Sequence, residues 1–357
     1  MDTENTEIKA KEEIHIFLCS DDNYIGFCAT CMASVLFNTQ SFIHFYIFGT
    51  VSPANRRLTL ALKEKFSHFD VEFIDADAEK VCKNFMIPSS IGSHLNQYTY
   101  LRLIVPLLKP EVKRAIYLDC DIVVLRDIAE LWNQDMEGKT LGAVPSVWLQ
   151  NDFLEHLRTE YEVGDKYFNA GVLLMDCEKW HEENIFQKSL EIQANAKISF
   201  PCCDQDLLNI LFDRNYKELP TRFNVIARTP ESEGLERLKM SEAEALEAQK
   251  NAVVVHFAGK CHPWEYHHKL KALHSEDFWN YCNMTEFASG LQMSFIRECC
   301  QFVSHLEEMA LKYMHEEQQR AKLLHTQSIN LFGVIPLLRI KNGWMKLFGC
   351  IPFLRFK

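Results

Sequence analysis

Short, largely apolar runs separated by polar segments set the rhythm of the chain up to about residue 260. Ile14–Cys19 stops at Ser20-Asp21-Asp22-Asn23, the pattern of a buried strand delivered into a loop. Gly26–Phe37 follows with helical spacing, and Ile43–Phe48 reads as a second strand closed by Gly49. Pro53–Phe66 is helical in pattern, with proline near its start, where a missing N–H costs nothing. Val71–Ile74, Ala115–Leu118, Leu141–Val144, Gly171–Met175 and Ala252–Val255 complete the strands. Strands alternating with helices predict an α/β fold built of βαβ units around a mainly parallel, Rossmann-like sheet. Such sheets take ligands in the crevice beyond the carboxyl ends of their strands. Three polar clusters fall there: Ser20–Asn23, Asp119-Cys120-Asp121 and His256.

Beyond this region the pattern changes. Glu276–Leu324 is helical, anchored by Phe278, Trp279, Phe287, Leu291, Phe295, Phe302 and Leu306, with an interruption expected at Gly290. The chain then ends in a repeat. Leu331–Lys341 recurs as Leu347–Lys357 at an offset of 16, with eight of eleven positions identical. The expected organisation is a catalytic domain over 13–275, a helical appendage over 276–325 and a repeat tail over 326–357.

Charge sharpens that division. The 357 residues carry a net charge of −11, which argues against non-specific nucleic-acid binding by the whole molecule. No acidic residue follows Glu317, while Arg320, Lys322, Arg339, Lys341, Lys346, Arg355 and Lys357 supply +7. Taking that +7 from −11 leaves −18 on the rest, so an acidic body precedes a basic tail. The start, Met1–Glu13, is polar and does not read as a signal peptide. The 13 cysteines are odd in number and scattered, without a compact framework. Both features predict a reducing cytoplasm and free, mostly buried thiols. No run of 18 apolar residues suggests a membrane span.

Asp119-Cys120-Asp121 follows an apolar strand. Two carboxylates around one residue at a strand end can converge on a hard divalent cation, which keeps coordination positions for substrate phosphates. His256 also follows a strand, and opens His256-Phe-Ala-Gly259-Lys-Cys-His262-Pro-Trp264. Its glycine permits close approach of backbone to a ligand, and its imidazole suits Mn2+ among oxygen ligands. Taken singly, each of these has a plain alternative: Asp21–Asn23 a turn or helix cap, Phe168–Gly171 a turn into a strand, Asp204 a helix cap, His256 a hydrogen-bonded core histidine.

Together and in order they resemble glycosyltransferase family 8, the retaining family that includes bacterial lipopolysaccharide galactosyl- and glucosyltransferases and glycogenin. Ser20-Asp21-Asp22-Asn23-Tyr24 resembles its first-strand loop, and Asp119-Cys120-Asp121 before Ile122–Leu125 resembles its metal motif. Tyr167-Phe-Asn169-Ala170-Gly171 and Asp204-Gln205-Asp206 resemble two sugar-site segments, and His256-x-x-Gly259 opens its last motif. The resemblance covers about residues 13–270 and implies a nucleotide-diphospho-sugar transferase fold of the GT-A type.

By position it implies that Asp21, Asn23 and Tyr24 contact the base and ribose and that Arg102 reaches the donor. Asp119, Asp121 and His256 would bind Mn2+, with Mg2+ a possible substitute, and Cys120 would lie against the donor between the two aspartates. Asn169, Asp204 and Gln205 would hold the transferred sugar, with Asp204 and Gln205 the catalytic candidates and Ala170 and Gly171 also against the donor. Gly259 and His262 would face the diphosphate, and His94 the acceptor. One departure stands out: the family motif ends Lys-Pro-Trp, whereas this chain reads His262-Pro263-Trp264, with Lys260 two residues earlier.

The expected reaction moves glucose or galactose from a UDP-sugar to a hydroxyl of lipopolysaccharide or another surface glycan or lipid-linked acceptor. A protein-directed or self-glycosylating transferase is the nearest alternative. A metal-dependent sugar nucleotidyltransferase or a non-catalytic nucleotide-sugar binder are alternatives of other classes. Because an amide such as Gln205 is a poor nucleophile, a front-side displacement is expected, with the departing phosphate helping to deprotonate the acceptor. The basic, apolar tail is expected on the anionic inner face of the plasma membrane.

Overall fold

The computed structural model describes residues 13–87, 97–147, 151–228, 232–259, 262–265, 272–324, 338–341, 344–347 and 351–355. The chain forms two compact units, Met1–Glu298 and Cys299–Lys357.

The first unit is built on a seven-stranded sheet. Its strands are β1 (Glu13–Cys19), β2 (Phe42–Gly49), β3 (Phe69–Asp75), β4 (Arg114–Leu118), β6 (Leu141–Pro145), β7 (Phe168–Asp176) and β8 (Lys217–Glu218), in the order β3-β2-β1-β4-β7-β6-β8. Only β7 runs against its neighbours; the pairs β3–β2, β2–β1, β1–β4 and β6–β8 are parallel. A second, three-stranded sheet has the order β5-β10-β9, from β5 (Ile122–Val124), β9 (Val225–Ile226) and β10 (Val254–His256). The expected α/β architecture with a mostly parallel sheet is therefore present.

Both faces of the large sheet are buried, which is why its strands read as nearly unbroken apolar runs. Alternation still divides the core. Ile14, Ile16, Leu18, Ile116 and Leu118 join one hydrophobic cluster with the helix Ile25–Asn38. Phe17, Ala115, Tyr117, Leu173 and Met175 join the other. The helix Ile25–Asn38 is buried along almost its whole length. Within it Cys28-Ala29-Thr30-Cys31 places two buried, free thiols one turn apart, and every cysteine among the described residues is free.

The helical region differs in detail from its sequence pattern. One helix, Ser275–Cys282, packs Phe278, Tyr281 and Cys282 into the first cluster. The break comes at 283–287, where the Thr285 hydroxyl accepts from Phe287 N. The next helix, Ala288–Leu324, runs straight through Gly290, since one glycine costs a long helix only about 1 kcal/mol. The second unit contains an antiparallel three-stranded sheet of β11 (Leu338–Lys341), β12 (Trp344–Leu347) and β13 (Ile351–Arg355). The register of β11 on β12 pairs Leu338 with Leu347, Arg339 with Lys346, Ile340 with Met345 and Lys341 with Trp344. No helix among the described residues is long and apolar enough to cross a membrane.

Candidate active site

The large sheet and the small sheet together assemble the site. Asp119 leaves β4, and its backbone N–H donates to the Gly171 carbonyl at 2.8 Å, which holds it beside β7. Three residues later the chain enters β5, which pairs antiparallel with β10 so that Ile122 faces His256. Phe257 N donates to the Asp121 carbonyl at 2.9 Å and locks that approach. His256 Nε2 comes to lie 3.1 Å from Asp121 Oδ1 and 3.8 Å from Asp119 Oδ2. One donor atom from each of Asp119, Asp121 and His256 falls within 4.8 Å of the others.

This donor set fits a divalent cation. Two carboxylate oxygens and one imidazole nitrogen match the preferences of Mn2+, and of Mg2+ if water or phosphate completes the shell. The third wall of the cradle is Gly171: a Cβ there would fall 2.7 Å from His256 Nδ1 and 2.8 Å from Asp119 Oδ2. Only glycine lets the two ligands converge at that point. The burial of His256 would lower its pKa, yet attraction from Asp121 and Asp119 leaves it raised above the ordinary value. The same histidine strongly depresses the pKa of Asp121 against its burial.

Arg102 ties the Asp119 carboxylate to Asp204 and to the Ala170 carbonyl. It is buried over the ring of Tyr117, its guanidinium carbon 4.7 Å from the centroid. Its Nη2 lies 2.8 Å from Asp119 Oδ1, its Nε 2.7 Å from Asp204 Oδ2, and its Nη1 donates to the Ala170 carbonyl at 2.5 Å. Asp204 begins the helix Asp204–Leu211 and also accepts from the Thr99 hydroxyl. Burial pushes its carboxyl up to about 6 even with Arg102 beside it. Gln205, on the same first turn, accepts at Oε1 from Asn169 Nδ2 and Ala170 N, both at 3.0 Å.

A cavity of about 440 Å³ opens over this arrangement. Asp21, Tyr24, Arg102, Asp119, Cys120, Asp121, Asn169, Asp204, Gln205, His256, Gly259 and His262 all line it. Asn23 does not; its side chain and N–H bond Asp21, whose carboxylate also accepts from Tyr24 N at 3.0 Å. Ala170 and Gly171 form the wall behind the lining residues. His94 and Lys260 lie outside the described residues. His262 Nε2 sits 3.7 Å from Asp121 Oδ2 and its Nδ1 3.0 Å from Glu265, with the ring stacked on Trp264 at 4.8 Å. Burial alone would lower its pKa, but Asp121 and Glu265 lift it to about 9.

The Glycosyl transferase family 8 model matches residues 15–268. The chain belongs to glycosyltransferase family 8. General stress protein A of Bacillus subtilis is 32% identical over 295 residues, covering 78% of this chain and 96% of that protein. The lipopolysaccharide 1,2-glucosyltransferase of Escherichia coli is 23% identical, covering 72% of this chain and 74% of its own. Among solved structures, the galactosyltransferase LgtC in complex with donor and acceptor sugar analogues superposes with a TM-score of 0.60 at 26% identity. That match covers 76% of this chain and 96% of LgtC. The family assignment makes this chain a GT-A glycosyltransferase, which uses a nucleotide-sugar donor, a glycan acceptor and a divalent metal.

Three residues of this family 8 site carried no signal in the sequence. Asn224 meets His256 Nδ1 at 3.2 Å, Thr99 meets Asp204, and Arg228 lines the cavity. Thr99 and Asn224 are each distant in sequence from the residue they meet.

Proposed function

We propose that this protein is a retaining hexosyltransferase that moves glucose or galactose from a UDP-sugar to a hydroxyl of a bacterial surface glycan, lipopolysaccharide being one such acceptor, with Mn2+ as its metal. The observation that carries this reading is the convergence of Asp119, Asp121 and His256 at the floor of a cavity that Asn169, Asp204 and Gln205 also line. When bound there, a divalent cation offsets the negative charge that develops on the departing diphosphate.

The chain's own residues do the rest. Asp21 and Tyr24 flank the end of β1, where the base and ribose would enter. His262, whose pKa Asp121 and Glu265 raise in the metal-free protein, stands where the family motif carries lysine, and there it would face a phosphate oxygen. Asp204 and Asn169 would hold the hydroxyls of the sugar. Arg102 offsets the charge of Asp204, and Gln205 is an amide, a poor nucleophile. The carboxylate of Asp204 is held by Arg102 and Thr99, and the carbonyl of Gln205 by two N–H donors. Both facts support a front-side route, with the acceptor proton leaving toward the departing phosphate. The basic tail would hold the enzyme on the anionic, cytoplasmic face of the plasma membrane.

The test is metal-dependent hydrolysis of a panel of UDP-sugars without acceptor. Turnover of UDP-glucose or UDP-galactose with Mn2+, lost in EDTA, is expected. Absence of both binding and turnover for every UDP-sugar would overturn the reading.

A further inference from the structure

Five hydrogen bonds link His256 to Asp206 in one unbroken chain. Tyr167 OH donates to Asp206 Oδ1 at 2.6 Å. Gln205 Nε2 donates to Tyr167 OH at 3.0 Å, and Asn169 Nδ2 to Gln205 Oε1 at 3.0 Å. Asn224 Nδ2 donates to Asn169 Oδ1 at 2.8 Å, and Asn224 Oδ1 faces His256 Nδ1 at 3.2 Å.

The polarity of this chain is forced, because backbone N–H groups can only donate. Cys202 N donates to Asp206 Oδ2 at 2.9 Å, so that carboxylate is the acceptor at the end of the chain. Tyr167 spends its single proton on Asp206, and its oxygen must accept from an amine. Ala170 N, donating to Gln205 Oε1, requires the same orientation of the Gln205 amide. Gly171 N, donating to Asn169 Oδ1 at 3.0 Å, requires it of Asn169. Asn224 therefore turns its NH2 toward Asn169 and its carbonyl toward His256, whose Nδ1 must carry the proton. Asp206, Tyr167, Asn224 and His256 are all nearly inaccessible to solvent, while Asn169 and Gln205 between them line the cavity.

We propose that Asp206, Tyr167 and Asn224 are positioning residues: the buried carboxylate polarises one directed chain that fixes the Nδ1–H tautomer of His256 and the orientation of both sugar-facing amides. The tautomer leaves the Nε2 lone pair for a metal, as an outer partner on a ligating histidine does. The same chain turns the amine of Gln205 away from the sugar site and ties its carbonyl to the backbone. One directed chain, oriented by the backbone donors at Ala170 and Gly171 and ended by Asp206, thus joins the geometry of His256 to that of the two sugar-facing amides. This rests on the transferase reading, and the experiment separates the two.

Wild-type full-length protein is first tested for binding of Mn2+ by titration and of UDP in its presence; failure there sinks the transferase reading and not the hydrogen-bonded chain. Long-range nitrogen–proton NMR on the wild type then reads the His256 tautomer with Mg2+ bound. A protonated Nδ1 is expected; a protonated Nε2 overturns the inference whether or not any variant folds. Asn224→Leu should weaken Mn2+ binding by about 10–100-fold, the usual effect of losing such a partner. Tyr167→Phe should lower kcat at least tenfold with the KM for donor changed less than threefold. Wild-type Mn2+ affinity in Asn224→Leu, or wild-type kcat in Tyr167→Phe, would overturn the proposal.

Discussion

Gly171 and His256 meet so closely that a Cβ on Gly171 would stand 2.7 Å from His256 Nδ1. The Asp119 carboxylate oxygen lies almost as near, at 2.8 Å. The glycine is there for space, because its backbone torsions are not among the positive-φ positions of the chain.

Gly171→Ala should therefore leave the sheet intact and displace Asp119 and His256, the proposed metal ligands. A misplacement of about 1 Å at such a site can cost about 100-fold in rate. The expected outcome is a loss of that order in metal-dependent turnover with a near-native circular dichroism spectrum. Wild-type turnover would show that the ligands have room to move.

Arg102 is the only cation bonded to both Asp119 and Asp204 among the described residues, and its side chain is 8% exposed. Breaking a buried pair by removing one partner typically costs about 3–5 kcal/mol, because a charge is left uncompensated. Arg102→Ala should lose stability of that order in urea titrations at pH 8. The loss should shrink at pH 5. Burial already holds the folded pKa of Asp204 near 6, above its unfolded value, and without Arg102 it climbs further. Folding then favours the protonated acid, so the variant's extra loss begins as pH rises past about 6 and is complete above its own, higher folded pKa. A pH-independent loss would contradict this account.

His262 gives a second pH signature. Its folded pKa, about 9, lies above the ordinary value of 6.5. The stability it contributes to the metal-free protein is complete below about pH 6.5 and disappears as pH rises through about 9. In EDTA, the Tm difference between wild type and His262→Gln should therefore narrow steadily from pH 6.5 to pH 9.5. A difference that stays constant would place its cause outside the ion pair with Asp121 and Glu265.

The tail supplies a test in cells. Residues 326–357 hold Arg339, Lys341, Lys346, Arg355 and Lys357 and no acidic group. Each such cation near an anionic bilayer is worth about 1 kcal/mol, and salt screens it. Deletion of 326–357 should move the protein from the membrane to the soluble fraction, as high salt should for the intact chain. Unchanged fractionation would refute the anchor.

Much of the fold was legible because the strands of a doubly covered sheet are continuous apolar runs. Glu13–Cys19, Phe42–Gly49 and Arg114–Leu118 all appear within a residue or two of their sequence patterns. The polar residues just beyond them, Asp21, Asp119 and Asp121, were visible for the same reason: the pattern ends where the crevice begins. The break in the helical region was misplaced at Gly290. A lone glycine weakens a helix without ending it, whereas the turn at 283–287 is fixed by local hydrogen bonds.

The sequence alone determined which chemical groups stand at strand ends, because hydrophobic periodicity is a local property. It placed Asp119 and His256 at two separate strand ends and had no means of joining them without the family resemblance. Only the tertiary structure decided how they meet: the antiparallel pairing of β5 with β10 sets Ile122 against His256, and one residue of register would carry the imidazole to the other face. The tertiary structure alone also gave the direction of the bonds from His256 through Asn224 to Asp206. That direction follows from backbone donors at Cys202, Ala170 and Gly171, whose orientation no one-dimensional pattern encodes.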